Sequence, residues 1–106
     1  MPTKKTNGIN LYYERHGSGE PLLFLHGLGS SGRDWEKQVA YFSEQYNVIT
    51  LDTRGHGRSD KPAGPYSIPL FAADVAQLLK ALELGPVHVV GLSMGGMITF
   101  QLAVER

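Results

Sequence analysis

The sequence contains no cysteine among its 106 residues, which excludes a disulfide framework and a thiolate-bound zinc site. Its 10 basic and 10 acidic residues cancel, so the chain has no net field that would attract nucleic acid or an anionic membrane. No apolar run approaches the roughly 20 residues of a membrane span, and the first seven residues lack the apolar core of a signal peptide. These absences predict a soluble, cytoplasmic protein.

The apolar pattern alternates between short continuous runs and segments with helical spacing, which predicts an α/β fold with a mostly parallel sheet. Strands are predicted at residues 9–15, 21–25, 47–51 and 87–90, behind a solvated end that contains Lys4 and Lys5. Helices are predicted around Trp35 to Phe42, from Ser67 to a stop at Gly85-Pro86, and as a buried helix over 97–104. Trp35 and Phe71 are expected in the core, and the chain is interpreted as one domain.

The last predicted strand runs directly into Gly91-Leu92-Ser93-Met94-Gly95 and then into a helix. Gly-x-Ser-x-Gly in this context predicts a nucleophile elbow, in which a strained turn exposes the serine Oγ. Bulky side chains at Gly91 or Gly95 would collide where strand and helix converge. Ser93 is therefore the predicted nucleophile. The alternative is a glycine-rich connection whose serine only caps the helix.

A second glycine-rich loop, His26-Gly27-Leu28-Gly29, follows an apolar strand. Small residues let its backbone approach a ligand, so the Leu28 N–H and the Met94 N–H are predicted to form a two-donor oxyanion hole. The alternative is an ordinary strand-to-helix turn. His26 is a candidate base, but a loop-shaping structural role is favoured, with Gly27 beside it.

Residues 52–60 concentrate charges and glycines in one loop. Asp52 and Arg54 are expected to pair and to tether nearby backbone amides. The spacing matches neither a phosphate-binding loop nor a zinc ligand set. The remaining histidines, at 16, 56 and 88, are scattered along the sequence, so no metal site is predicted.

These three loops resemble those of the amino-terminal half of the α/β-hydrolase fold, over essentially the whole chain. The most similar group contains the 3-oxoadipate enol-lactonases, carboxylesterases and cofactor-free haloperoxidases (perhydrolases). The resemblance implies eight strands in the order 1-2-4-3-5-6-7-8 with a lid after the sixth, of which residues 1–106 would supply the first five. A serine at the elbow argues against haloalkane dehalogenases and epoxide hydrolases, which are similar here but use aspartate.

The resemblance also implies a serine hydrolase of small esters or lactones, without metal or organic cofactor. Its triad runs Ser, acid, His, yet all four histidines precede Ser93 and Glu105 is the only acid after it. The acid and the His are therefore expected on other sequence. The alternative is a catalytically silent fragment or a ligand-binding module. The elbow strand is expected to be an exposed apolar edge that pairs with the complementary carboxyl-terminal part or with another copy.

Overall fold

The structure, a computed structural model that describes residues 3–105, is built on one five-stranded mixed sheet. The strands are β1 (Thr3–Thr6), β2 (Ile9–His16), β3 (Glu20–Leu25), β4 (Tyr46–Asp52) and β5 (His88–Gly91). A 3₁₀ turn (Gly32–Trp35) leads into α1 (Glu36–Phe42), followed by α2 (Ile68–Ala81) and α3 (Met94–Glu105).

The strand order is β1-β2-β4-β3-β5. The β1–β2 and β2–β4 pairs are antiparallel, whereas β3 pairs in parallel with both β4 and β5. This order confirms the predicted α/β fold and agrees with the first five strands that the resemblance implies. The carboxyl ends of β3, β4 and β5 meet at one edge of the sheet, so the loops that follow them lie together.

Side chains of β3 alternate between two cores, because successive residues of a strand face opposite sides of the sheet. Leu23 and Leu25 pack in the larger core beneath α2 and α3, which includes the buried Phe71. Leu22 and Phe24 pack in the smaller core beneath α1, where Phe24 stacks on Trp35 with ring centroids 4.7 Å apart. Both aromatic residues expected in the core are therefore buried.

Two boundaries differ from the sequence prediction. Lys4 and Lys5 are exposed but belong to β1, because the strand is held by backbone pairing with β2. Helix α2 starts as predicted, with Ser67 Oγ accepting the Leu70 N–H, but ends at Ala81, before Gly85. Glu83 adopts a left-handed φ of 55°, which closes the helix two residues earlier than the glycine would.

The prediction of a buried third helix is wrong for this structure. One side of α3 packs on the sheet and α2 through Ile98 and Leu102, while Met97, Phe100 and Val104 are 59, 77 and 82% exposed. Its sequence is apolar all round, which is the signal that suggested burial. Within residues 3–105 no further element covers the outer side of α3, so the apolar side chains on that side remain exposed. None of the helices in residues 3–105 combines the length and the hydropathy that a membrane-spanning helix needs.

Candidate active site

Ser93 occupies a strained turn between β5 and α3. Its φ is 55°, a left-handed conformation that a non-glycine residue rarely adopts and that marks functional turns. The side chain is exposed at the carboxyl edge of the sheet. The first helical hydrogen bond of α3 runs from the Met97 N–H to the Ser93 carbonyl at 3.1 Å, so the helix begins immediately after the serine.

The glycines on either side of Ser93 are required by close packing. A Cβ on Gly91 would overlap the Gly95 carbonyl oxygen, and a Cβ on Gly95 would overlap the Leu25 carbonyl oxygen. Gly96 is different, because a Cβ there would lie 3.6 Å from the Gly91 oxygen, an ordinary contact. Strand and helix thus converge at Gly91 and Gly95, as their spacing around the serine predicts.

In the first turn of α3 the Gly95 N–H donates to the Leu92 carbonyl at 2.9 Å, whereas the Met94 N–H has no partner within residues 3–105. Met94 is the first residue of the helix, and N–H groups at that end have no helical carbonyl to donate to. The helix dipole adds partial positive charge at the same place. An oxygen that gains negative charge beside Ser93 would meet a favourable field there.

The loop after β3 passes beside Ser93. A Cβ built on Gly27 would lie 3.6 Å from the Ser93 Cβ, an ordinary contact distance, so Gly27 is a direct neighbour of the serine. The Ser30 N–H donates to the Gly27 carbonyl at 3.2 Å, and Gly29 has a φ of 77°. A hydrogen bond from the fourth residue to the first and a positive φ at the third residue characterise a type II turn. Residues 27–30 therefore form such a turn, with Leu28 and Gly29 at its centre.

The turn has two central N–H groups, and they differ in their partners. The Gly29 N–H donates to His56 Nε2 at 3.0 Å. The Leu28 N–H makes no hydrogen bond to any residue in 3–105, and its side chain is 77% exposed. Leu28 is thus the central residue of the turn whose amide is available to a ligand.

His26 has a structural role in this arrangement. The ring is fully buried, its Nδ1 lies 2.7 Å from the Gly27 carbonyl oxygen, and its Nε2 accepts the Thr53 N–H at 3.0 Å. Because Nε2 faces a donor and Nδ1 faces an acceptor, the proton is on Nδ1 and the ring is neutral. Burial also lowers the pKa of His26. Both nitrogens are occupied, so His26 joins two loops and is not placed as a base for Ser93.

Asp52 tethers backbone amides, as predicted, but its partner is not Arg54. One carboxylate oxygen accepts the Gly32 N–H at 2.7 Å and the other accepts the Arg58 N–H at 2.9 Å. Asp52 ends β4, and its carboxylate points to the side of the sheet that carries the 3₁₀ turn. Gly57 leaves room for it, because a Cβ there would overlap the carboxylate.

Arg54 turns to the opposite side and pairs with Asp74 on α2. Its Nε and Nη2 donate to the two Asp74 oxygens at 2.8 and 2.9 Å, and the Asp74 carboxylate raises the pKa of Arg54. The Asn7 side chain also donates to Asp74, at 2.9 Å. The predicted Asp52–Arg54 pair is therefore wrong, because the loop separates the two side chains onto different faces.

The residue that the sequence reasoning missed is His56. Spacing showed only that it belongs to no ligand cluster, and no sequence signal identifies a backbone partner 27 residues earlier. Within residues 3–105, Ser93 Oγ has no side-chain hydrogen-bond partner, and no three His, Asp or Glu side chains are grouped closely enough to hold a metal ion. The described residues thus present a serine and amide donors without a base.

Residues 20–106 match the family model described as the alpha/beta hydrolase fold. The 3-oxoadipate enol-lactonase 2 of Acinetobacter baylyi is 38% identical over 105 residues, covering 97% of this chain and 39% of the relative. A non-heme chloroperoxidase of Streptomyces lividans is 45% identical over 95 residues, covering 86% of this chain and 34% of the relative. The chain spans about two fifths or less of the length of these relatives.

Solved structures of enzymes also superpose on this chain. Est816, described as an N-acyl homoserine lactone degrading enzyme, superposes with a TM-score of 0.95 at 43% identity, over 99% of this chain and 40% of that one. The epoxide hydrolase CorEH superposes equally well, with a TM-score of 0.95 at 35% identity, over 98% of this chain and 37% of that one. The fold is therefore shared by enzymes with different reactions, and fold similarity alone does not select one of them.

Proposed function

The chain belongs to the α/β-hydrolase fold family, and from this premise we propose that the protein containing it is a serine hydrolase of small carboxylic esters, lactones or related acyl compounds. The observation that carries the proposal is the left-handed turn at Ser93, with a φ of 55° on an exposed, non-glycine residue. A turn with this strain is retained where it serves a function. A serine that only capped the helix would adopt extended backbone angles instead.

In the proposed mechanism Ser93 Oγ attacks the substrate carbonyl carbon, and the carbonyl oxygen gains negative charge. The Met94 N–H at the start of α3 and the unpaired Leu28 N–H donate to that oxygen. Donors fixed in advance cost no reorganisation at the moment of reaction, and losing one typically costs about 2.7–4 kcal/mol of barrier. The proposed reaction uses no metal or organic cofactor.

The hydroxyl needs a base, which we place on sequence outside this chain. Every histidine of the chain precedes Ser93, and His26 is occupied at both nitrogens. In the proposed complete protein, a His takes the serine proton, gives it to the leaving group, and is oriented by an acid. The second candidate, favoured by the absence of any side-chain partner for Ser93 Oγ in residues 3–105, is that the 106-residue chain alone is catalytically silent.

Hydrolysis of small nitrophenyl esters and of a lactone tests both candidates. We expect turnover by the complete protein, loss of about 10⁴-fold or more in Ser93→Ala, and an unchanged rate in Ser18→Ala, an exposed serine of a distant turn. The 106-residue chain is expected to match its own Ser93→Ala variant. An unaffected Ser93→Ala rate in the complete protein contradicts the proposed function.

We further propose that the free edge of β5 is paired in the complete protein by its carboxyl-terminal part, or in the isolated chain by a second copy. β5 is the last strand of the sheet, Val90 is 42% exposed, and Phe100 of the adjoining α3 is 77% exposed. An unpaired strand next to apolar surface recruits other strands. A monomeric 106-residue chain that unfolds cooperatively and binds no apolar dye would contradict this pairing. The cytoplasmic location stays a prediction from the sequence.

A further inference from the structure

His56 contacts the backbone of the turn that carries the proposed oxyanion donor. The residue is buried, with 8% of its surface exposed. Its Nε2 accepts the Gly29 N–H at 3.0 Å, and its Nδ1 lies 3.0 Å from the Arg54 carbonyl oxygen. The same nitrogen lies 3.1 Å from Thr53 Oγ1. A donor on one side and a carbonyl on the other place the proton on Nδ1, so the ring accepts from Gly29 as a neutral imidazole.

The ring has little freedom to leave this position. It packs edge-on against Phe71 of α2, with ring centroids 6.2 Å apart, and tilted against His26, with centroids 5.0 Å apart. His26 in turn accepts the Thr53 N–H at 3.0 Å. His26 of the loop after β3 thus accepts from an amide of the loop after β4, and His56 of the loop after β4 accepts from an amide of the loop after β3. The two hydrogen bonds together hold the loops against each other.

These contacts hold both peptide planes around Leu28. The Gly27 carbonyl and the Leu28 N–H belong to one plane and point in opposite directions. The Ser30 N–H at 3.2 Å and His26 Nδ1 at 2.7 Å hold that carbonyl, which aims the Leu28 N–H the other way. The Leu28 carbonyl and the Gly29 N–H form the next plane, and its N–H is held by His56.

The second plane is the one that distinguishes type I from type II turns, because the two differ by a flip of the central peptide. We propose that His56 is a positioning residue for the oxyanion hole: by holding the Gly29 N–H it fixes the peptide that follows Leu28, while the contacts to the Gly27 carbonyl fix the peptide that carries the Leu28 N–H. This inference rests on the proposed function and adds a residue from the loop after β4 to it. The hydrogen bonds and ring contacts of His56 within residues 3–105 do not include Ser93.

A matched pair of amide substitutions separates this role from simple packing. In His56→Gln the amide oxygen reaches the place of Nε2 and still accepts from Gly29, whereas in His56→Asn the amide reaches only the place of Nδ1. In the complete protein we expect kcat of His56→Asn to fall about 10–100-fold with KM within about twofold, because the lost interaction belongs to the transition state. His56→Gln should stay within about fivefold of the native kcat. His16→Asn, an exposed histidine bonded to Glu14, is the control and should match the native protein.

A readout that needs no activity is the exchange rate of the Gly29 amide hydrogen, measured by NMR on Ser93→Ala protein. We expect it to be slow with His56 or Gln at position 56 and at least about tenfold faster with Asn. Equal kcat values for the Gln and Asn variants, or equal Gly29 exchange rates, would overturn the inference. This holds also if both variants are less stable than the native protein, because His56 would then contribute packing alone. A native protein that hydrolyses no ester or lactone contradicts the proposed function instead, and Gly29 exchange still decides whether His56 holds the turn.

Discussion

The two sides of Ser93 are built differently. On the side of the loops after β3 and β4, three buried polar side chains bind backbone amides of another segment: His26, His56 and Asp52. On the side of β5 and α3, Val90 and Phe100 are 42 and 77% exposed, and the strand edge has no neighbour within residues 3–105. The first side, with the loops after β3 and β4, is held by internal contacts and is called the paired side. The second, with β5 and α3, exposes apolar surface and is called the open side.

This contrast suits a site in which different parts of the sequence supply the oxyanion donors and the base. The proposed oxyanion donors are backbone amides, one in the loop after β3 and one at the start of α3, and the chain can hold both in place by itself. Within residues 3–105 Ser93 Oγ has no side-chain hydrogen-bond partner, so the proposed base is supplied by other sequence. In the proposed mechanism the amide donors therefore belong to this chain, and the base belongs to sequence elsewhere.

The largest effect is expected from breaking the paired side at Asp74. Asp74→Ala leaves the Arg54 guanidinium buried without its carboxylate, which should lower the free energy of unfolding of the complete protein by about 3–5 kcal/mol in urea titrations. Asp60→Ala is the matched control, because that exposed carboxylate accepts a single hydrogen bond from the described residues, that of the Asn10 N–H. Equal losses in both variants would show that burial of the pair is not what stabilises this side.

A smaller loss is expected where strand and helix meet at the elbow. Gly95→Ala places a Cβ on the Leu25 carbonyl oxygen, an overlap that should cost about 3 kcal/mol of unfolding free energy. Gly96→Ala, one residue further along the helix, has room for its Cβ and should be neutral or stabilising by up to about 1 kcal/mol. Similar values for the two variants, by thermal or urea unfolding, would contradict the close approach at Gly95.

The next effect is a pH dependence that comes from the paired side. Burial lowers the pKa of His26 in the folded state, so below the unfolded pKa of about 6.5 the unfolded chain takes up the proton more readily. The contribution of His26 to stability is therefore complete above about pH 6.5 and decreases as the pH falls, by at most about 1.4 kcal/mol per pH unit.

Urea unfolding between pH 7.5 and 5 measures this slope. His26→Gln should flatten it, whereas His88→Gln, an exposed histidine of β5, should leave it unchanged. A native slope that persists in His26→Gln would assign the dependence to another group.

The smallest effect is expected on the open side. In the 106-residue chain Phe100→Ser should change the unfolding free energy by no more than about 0.5 kcal/mol, because the side chain is 77% exposed. It should lower the binding of an apolar dye. In the complete protein, where we propose that this face is covered, the same substitution should cost several times more. Equal costs in both contexts would contradict the covering of α3.

The sequence predicts the fold and the elbow because both depend on local patterns. Apolar runs and helical spacing locate the strands and helices. The glycines two residues before and after Ser93 predict the close approach of β5 and α3 that the structure contains. The direction of a side chain in a loop is not a local property. For this reason Asp52 and Arg54, two residues apart, were expected to pair but bind on opposite faces.

Long-range contacts set the remaining features. The bond from Gly29 to His56 joins residues 27 positions apart, and no spacing rule connects them. The exposure of α3 is equally nonlocal, because an apolar sequence shows that a face requires a partner but not whether the partner lies within the same 106 residues. Periodicity therefore predicts the elements, and the partners of individual side chains require the folded structure.

The most direct test of the central claim is to locate the adduct that a fluorophosphonate forms, by peptide mass spectrometry on the complete protein and on the 106-residue chain in parallel. We predict one adduct on Ser93 in the complete protein, none in Ser93→Ala, and none above background in the 106-residue chain. An adduct on another residue of the complete protein, or efficient labelling of Ser93 in the isolated chain, would contradict a serine nucleophile whose base comes from other sequence.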